Sequence, residues 1–487
     1  MKSASFRLRR FVCNVSVLLL CLFFASCTSR AVKRNQALEK SVSDGDFSAA
    51  ITHIQKNTKL YGETNAFLYY MDIGVLFHYA GMYDSSNHYL EQAAAVYDDL
   101  FTKSVTNEAA ALLTNDNMRP YRSRPFEIVL MHQFKALNYM AMGKFQESLV
   151  ETRRVQLHFN EWERTGAKSN KYHSDGMFHL LSSLAYESVG EDDNSLISLY
   201  KAVEAYNMGP VRLSAEVRDF AAHRLEAGDR EGDLARLKIS ASDGPGKWSA
   251  PAGASEIVIV GYAGKGPNLR EQNWSGTYVQ DGLLVVQTPG KDGKPNVISI
   301  AAPMLPASEY EKASRGEKTK SGTTFYIKLS LPEVQTFTSQ TAYFSARVND
   351  ASENIRSVIV NDIDSQLTKA QGDIWGEVLT RTAVRVVLRT IAAQKAKGAM
   401  QSSSPLLNLV TNLGTDVASS QLEKADVRIC FLMPKTIHAT RVPVEPGTHS
   451  VTLNVHDASG RVIGKKEYAN IEVKRGEKKV LLHHSLR

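Results

Sequence analysis

The stretch from Phe67 to Asp98, FLYYMDIGVLFHYAGMYDSSNHYLEQAAAVYD, constrains the fold more than any other part of the chain. Two segments of helical length meet at Gly81-Met82-Tyr83, with Tyr70, Ile73, Gly74 and Phe77 before the turn and Leu90 and Ala93 after it. Those spacings put large, small and large side chains on facing helical stripes. The plan recurs at Gly45-x-Phe47, at Gly143-x-Phe145 behind Ile128, Met131, Phe134, Ala136 and Tyr139, and at Gly190 behind Leu180, Leu184 and Tyr186. At Gly190 the aromatic after the turn is replaced by Asp192. One helical pair cannot bury its own apolar face, so neighbouring copies must stack on it.

The unit resembles the tetratricopeptide repeat, with Ser86 standing where that family favours Ala. The resemblance implies that the first helix of each unit lines a concave face. It places Met71, Val75 and His78 there from the second unit, Gln133, Leu137 and Met140 from the third, and Leu180, Leu184 and Glu187 from the fourth. The set lacks the Lys and Asn of the carboxylate-clamp version, so the groove is expected to take apolar side chains of an extended or helical segment. The occupant is either another protein or the chain itself, through its β-rich half or the segment Pro405 to Val410. A helix from Val211 to Leu237 would cap the exposed end of the stack.

Ahead of the repeats, Lys2, Arg7, Arg9 and Arg10 precede the apolar run Phe11 to Ala25, which has the plan of a secretory signal. That run, about 15 residues, is short of the roughly 20 needed for a membrane span. Phe24-Ala25-Ser26-Cys27, with Leu22 and Phe23 just upstream, resembles the bacterial lipobox, which implies acylation of Cys27 as the first mature residue. Thr28 and Ser29 lack the Asp that retains such lipoproteins in the inner membrane, so the implied address is the outer membrane, facing the periplasm. The four cations that leave with the signal take the formal net charge from +7 to +3, which removes the argument for nucleic acid. Of the four cysteines, Cys13 and Cys21 leave too and Cys27 carries lipid. The remaining Cys430, in the strand-like run Val427 to Leu432, reads as a buried inert thiol.

Ser240 to Lys247 has linker chemistry, and from Glu256 the period changes to two, at Ile257–Val260, Leu283–Val286, Val297–Ile300 and Phe325–Leu329. A helical interlude is expected from about Ile355 to Ala399, and strands again from Val427. The closing strands, with Pro446-Gly447 before His449 to His456, resemble small β-sandwich modules of the PEGA type. The expected fold is multidomain, α then β. A signal occupies 1–26, a tether 27–34, a tetratricopeptide-like α-solenoid 35–239, a linker 240–255, a mixed β-rich domain 256–354, an inserted helical segment 355–424 and a β-sandwich-like module 425–487. Helical repeats joined to a β domain are similar to a group of envelope lipoproteins.

Chemistry is harder to find. Gly261 to Pro267 fails the phosphate-loop templates, because no Gly-Lys-Ser/Thr is present, Pro267 removes an amide and strands rather than a helix follow. It reads as a glycine-rich β-turn. His483 and His484 are adjacent in a strand and so point to opposite faces, and no Cys/His spacing suits zinc. No catalytic, metal or cofactor site is expected. On the helix near residue 385, Val384, Val387, Leu388 and Ile391 form a core-facing stripe, while Arg381, Arg385 and Arg389 repeat every fourth residue. That row is either a solvated face or an anion-binding ridge for phospholipid headgroups or an envelope polyanion. The composite reading is a lipid-anchored periplasmic scaffold that binds other envelope proteins through its repeats. The alternative is an enzyme of envelope polymer metabolism with a site in the β-rich domain.

Overall fold

The computed structural model describes residues 38–102, 117, 119–165, 172, 174–242, 248, 253–279, 283–288, 296–301, 324–349, 351, 353–399 and 423–487. The signal region with Cys27, and Pro405 to Val410, lie outside the described residues. Helices fill the N-terminal half and β-sheets the C-terminal part. Among the described residues no helix is long and apolar enough to cross a membrane.

After helical residues 38–43 come α1 (Phe47–Lys56), α2 (Ala66–Tyr79), α3 (Tyr83–Thr102), α4 (Pro125–Ala141), α5 (Phe145–Thr165), α6 (Gly176–Ser188), α7 (Asp192–Met208), α8 (Ala215–Ala227) and α9 (Glu231–Leu237). Gly45, Gly81, Gly143 and Gly190 each end a helix in the left-handed region, at φ between 72° and 78°. At Gly81 the glycine N–H donates to His78 O (3.0 Å) and the next N–H, of Met82, to Phe77 O (2.9 Å), which satisfies carbonyls the helix leaves open. The same pair of bonds recurs at Asp229 (φ 53°), through Asp229 N–H to Glu226 O and Arg230 N–H to Leu225 O. The helix expected over Val211 to Leu237 is therefore two helices, and the sequence hid the turn because Asp stands where the others have Gly.

Helix pairs approach closely at small residues. A Cβ at Gly74 would lie 2.6 Å from a Leu90 methyl, so only glycine lets α2 and α3 meet there. Five residues beyond each turn glycine sits a small buried side chain: Ala50, Ser86, Ser148 and Ser195. The Ser86 hydroxyl donates to Gly74 O (2.8 Å) and that of Ser195 to Ser183 O (2.9 Å), so serine replaces alanine at the cost of one hydroxyl that finds a partner across the pair.

The β half runs β1 (Glu256–Lys265), β2 (Asn268–Val279), β3 (Leu283–Thr288), β4 (Asn296–Ala301), β5 (Thr324–Gln335), β6 (Tyr343–Val348), β7 (Ile355–Arg356), β8 (Val358–Asp362), α10 (Ile363–Ala399), β9 (Pro434–Pro443), β10 (Gly447–His456), β11 (Val462–Val473) and β12 (Lys478–Ser485). They form three sheets, ordered β12-β1-β9-β8, β11-β10-β6-β7 and β4-β3-β2-β5. The unbroken apolar run of β1 is explained by burial on both faces. Val258, Val260 and Tyr262 pack into one core with the helices, whereas Ile257, Ile259 and Ala263 pack with Phe344, Leu453 and Val455 of the second sheet. The first sheet is thus the middle layer between helices and second sheet.

Strand pairing corrects the expected boundaries. β1 pairs with β9 and in parallel with β12, and β10 pairs with β6, so β1, β6, β7 and β8 from before α10 and β9 to β12 from after it weave one sandwich rather than two modules. The expected helical interlude begins at Ile363, because Ile355–Arg356 and Val358–Asp362 are strands. Val427 to Leu432 is not a strand; it is an irregular buried segment on which the Cys430 N–H donates to Glu127 Oε1 (3.1 Å). Gly261 lies inside β1 rather than in a turn, where a Cβ would meet the Phe344 ring at 2.5 Å. The third sheet stands apart and packs Trp274, Leu284, Val286 and Leu329 on Ala383 and Val386 of α10.

Candidate functional site

The helices α2, α4 and α6 carry the residues expected to line a groove, and all but Leu180, which is half-buried, are buried. The chain's own middle sheet and the start of α10 pack against these helices, which is the self-occupied alternative of the two occupants the sequence left open. The apolar side chains of these helices gain by leaving water, and the nearest sheet face supplies matching apolar ones.

Each third of the seam has its own polar fastening. In the second unit, His78 is held neutral, because burial pushes its imidazole down to about 3 against the opposing hydrogen bond to Asn138. Asn138 Nδ2 donates to Ser86 Oγ and Asn87 Oδ1 (both 2.8 Å), which leaves its Oδ1 to accept from His78 Nδ1 (2.6 Å). His78 Nε2 then accepts from the Tyr262 hydroxyl of β1 (2.7 Å). In the third unit, Gln133 Nε2 donates to Asp175 Oδ1 (2.7 Å), and Asp175 also accepts from Gln366 Nε2 of α10 (2.9 Å) and Tyr172. Burial pushes the Asp175 carboxyl up, and these donors with the Phe178 amide oppose it.

The fourth unit contributes the densest cluster. Glu187 accepts from Arg224 of α8 (2.7 Å), Arg441 of β9 (2.8 Å) and Lys478 of β12 (3.1 Å). Glu256 of β1 pairs with the same Arg441 (2.6 Å) and Lys478 (2.7 Å). All five side chains are buried. Burial alone would raise the Glu187 carboxyl, yet Arg441, Arg224 and Lys478 hold it well below the usual carboxylate range. The sequence pointed to Glu187 and to none of its partners. Arg441 and Lys478 sit in strands amid alternating polar residues and carry no local signal of burial.

Adjacent strand residues are expected on opposite faces, yet the His483 and His484 rings stack on each other with centroids 5.8 Å apart. His484 meets the Phe47 ring edge-on at 4.6 Å, and His483 meets Phe344 at 5.8 Å. A cavity of about 340 Å³ opens beside them along the seam, next to His78, Tyr83, Lys466 and Tyr468.

The arginine row is not a free ridge. Arg385 is 1% exposed and binds Glu423 through Nη2 (2.6 Å) and Nε (3.0 Å); Arg389 binds the same carboxylate (2.7 Å), and Arg381 pairs with Glu377. The expected core stripe is rotated, because α10 is covered by the third sheet on one side and by residues near 423 on another. Ala383, Val386 and Val387 are buried, and Val384 and Leu388 half-buried. Arg381 and Arg385 instead line a cleft of about 250 Å³ with arginines from two other segments. The carboxylates Asp362 and Asp364 have local partners: Asp362 accepts from Ser365 at the start of α10, and Asp364 pairs with Lys435. No family model matches the chain, and no curated protein matches it either.

Proposed function

We propose that the protein is a lipid-anchored interaction scaffold of the bacterial envelope, held by Cys27 at the outer membrane facing the periplasm, with a tetratricopeptide-like solenoid as its helical half. Its partners are other envelope proteins. The observation that carries this reading is the fastening of the inner helices to the middle sheet through the Glu187 cluster, which makes helices and sandwich one rigid support. With the inner face occupied, the second helix of each pair is the surface left to meet a partner. Val150 and Leu157 on α5 are 46% and 66% exposed, and Ile197 on α7 is 40% exposed. Enzymatic use of the most buried acids is disfavoured by their pairing, since Glu187 and Glu256 are each held by cations.

Photo-crosslinkers at Leu157 and Ile197 in cells test the scaffold. A discrete foreign adduct that is lost in Leu157→Asp is expected there, whereas His78 and Gln133 should crosslink only to the protein's own residues beyond 250. A foreign adduct at His78, or none at either outer helix, would overturn the reading.

A further inference from the structure

The cleft beside α10 is built from three separate pieces of chain. The loop before α4 supplies Arg119, Arg122 and Arg124, α10 supplies Arg381 and Arg385, and the segment after Glu423 supplies Arg428. Asp426 is the one carboxylate among the described lining residues. Several of these guanidinium groups are fixed from behind. Glu423 holds Arg385, Asp426 holds Arg428 (2.6 Å), and Arg428 Nη1 donates to Arg119 O (2.8 Å), which pins the loop to the segment opposite. The Tyr121 hydroxyl accepts from Arg124 Nη1 (2.9 Å). Such groups need little reordering to receive a ligand.

A second observation is independent of charge. Gln371 lines the same cleft and is 5% exposed, yet among the described residues neither its Nε2 nor its Oε1 has a hydrogen-bond partner. The buried Arg124 Nε is likewise without one. Buried amide groups are almost always bonded, so an amide with both ends unmatched beside a cluster of cations marks the place of a missing polar ligand.

We propose that this cleft binds a phosphate-bearing anion. The forks of Arg385 and Arg428 are turned to Glu423 and Asp426, so the cleft offers a ligand the positive charge of arginines from three segments rather than a closed clamp. A phosphate, with more acceptor oxygens and more charge than a carboxylate, suits cations so spread. The Gln371 Nε2 would donate to a phosphoryl oxygen while its Oε1 accepts from a phosphate or adjacent hydroxyl. Pro332, Ile374 and Val378 give the cleft an apolar wall for the carbon side of an ester. A volume below the roughly 300–1,000 Å³ of drug-sized sites limits the ligand to a small phosphate or the headgroup end of a larger molecule.

Calorimetric titration of the full chain in detergent with inorganic pyrophosphate, and separately with dioctanoyl phosphatidic acid below its micelle concentration, tests the site. Saturable binding that weakens with salt is expected for at least one probe. Pyrophosphate binding assigns a soluble phosphate, and phosphatidic acid binding alone assigns a lipid headgroup. Gln371→Leu removes an amide that bonds nothing in the unliganded fold and should leave folding intact while weakening binding about ten-fold, the worth of one charge-assisted hydrogen bond. Exposed Arg122→Gln should do the same, and it decides the matter if Gln371→Leu fails to fold. Binding of neither probe, or affinities unchanged in the folded variants as expected if Gln371 meets an ordered water alone, overturns the proposal. Neither result depends on what crosslinks to Leu157.

Discussion

Arg441 Nη2 lies 2.8 Å from Glu187 Oε2, joining residues 254 positions apart and tying a sheet strand to the inner helix of the fourth pair. With Arg224, Lys478 and Glu256 it makes a cluster of three cations and two carboxylates out of contact with water. Removing Glu187 leaves Arg441 and Lys478 to share Glu256 and takes from buried Arg224 its carboxylate. Glu187→Gln should therefore lower stability by about 3 kcal/mol or more, read as the shift of the urea midpoint of the full chain. Arg461→Ala, which breaks an exposed pair with Asp457, should cost under about 1 kcal/mol.

Acid sensitivity should begin near pH 6.5, above the carboxylate range. Burial lowers the imidazoles of His78 and His179 to about 3 and those of His158, His438 and His483 to about 4. Below about pH 6.5 the unfolded chain takes up protons that the folded chain refuses, so stability falls as pH drops toward those folded values. Glu187 adds a second loss at lower pH. Its depressed folded value gives stability that is present above the ordinary carboxylate value and is lost as pH falls below it. Urea midpoints between pH 8 and 5 should decline in the wild type, and His78→Gln should show a shallower slope. A flat profile over that window would mean the imidazoles are hydrated.

The turn series offers a stabilising change. Asp229 is exposed and adopts φ 53°, where Gly45, Gly81, Gly143 and Gly190 hold the same place in the other pairs. Asp229→Gly should raise the melting temperature by a few degrees, for a gain of up to about 1 kcal/mol as strain is relieved and offset by glycine's entropy. Gly143→Ala should cost about 1 kcal/mol by the same reasoning.

The helical half was legible because its signals are local. A glycine at the turn and apolar residues at helical spacing report a pair from one stretch of chain, and the one pair missed is the one whose turn residue is Asp229. The strands with clean β-branched runs, at 257–260, 283–286, 297–300 and 325–329, were legible for the same reason. β2, whose Asn268 to Asn273 is polar apart from Leu269, and the two-residue β7 carry no such run, while the run Val358-Ile359-Val360 of β8 lies inside the stretch read as helical. What no local pattern reveals is which strands pair. Val451 opposite Val348 and Ile257 opposite Val442 join segments that composition assigned to different modules. The residues expected to line a groove are buried, Leu180 half so. Their occupant, Tyr262 on a strand 184 residues from His78, was beyond any periodicity.

The proposed lipid anchor rests on the small residues before Cys27 and the charged residues ahead of the apolar run, and is tested directly. Cys27→Ser should abolish acyl labelling and move the protein from the membrane to the soluble fraction. A variant that remains membrane-bound with unchanged mass would sink the lipoprotein reading.

The seam also fixes what a truncated helical half should do. Stacked repeats commonly fold alone, since each unit leans on its neighbours. Here the inner face is covered by the sandwich: Met71, Phe134, Leu137 and Leu184 are at most 5% exposed in the intact chain. Glu187, His78 and Gln133 take hydrogen-bond partners from beyond residue 250. A fragment ending at Leu237 would present that apolar face to water, and its polar groups would lose Tyr262, Asn361 and Arg441. It should keep helical circular dichroism through its local turns and short-range pairs, but melt broadly and bind a hydrophobic dye. Adding residues 248–487 in trans should restore a sharp transition and release the dye. A fragment that melts as sharply as the full chain and binds no dye would mean that the repeats stand without the sheet, and the rigid-support reading would fall with it.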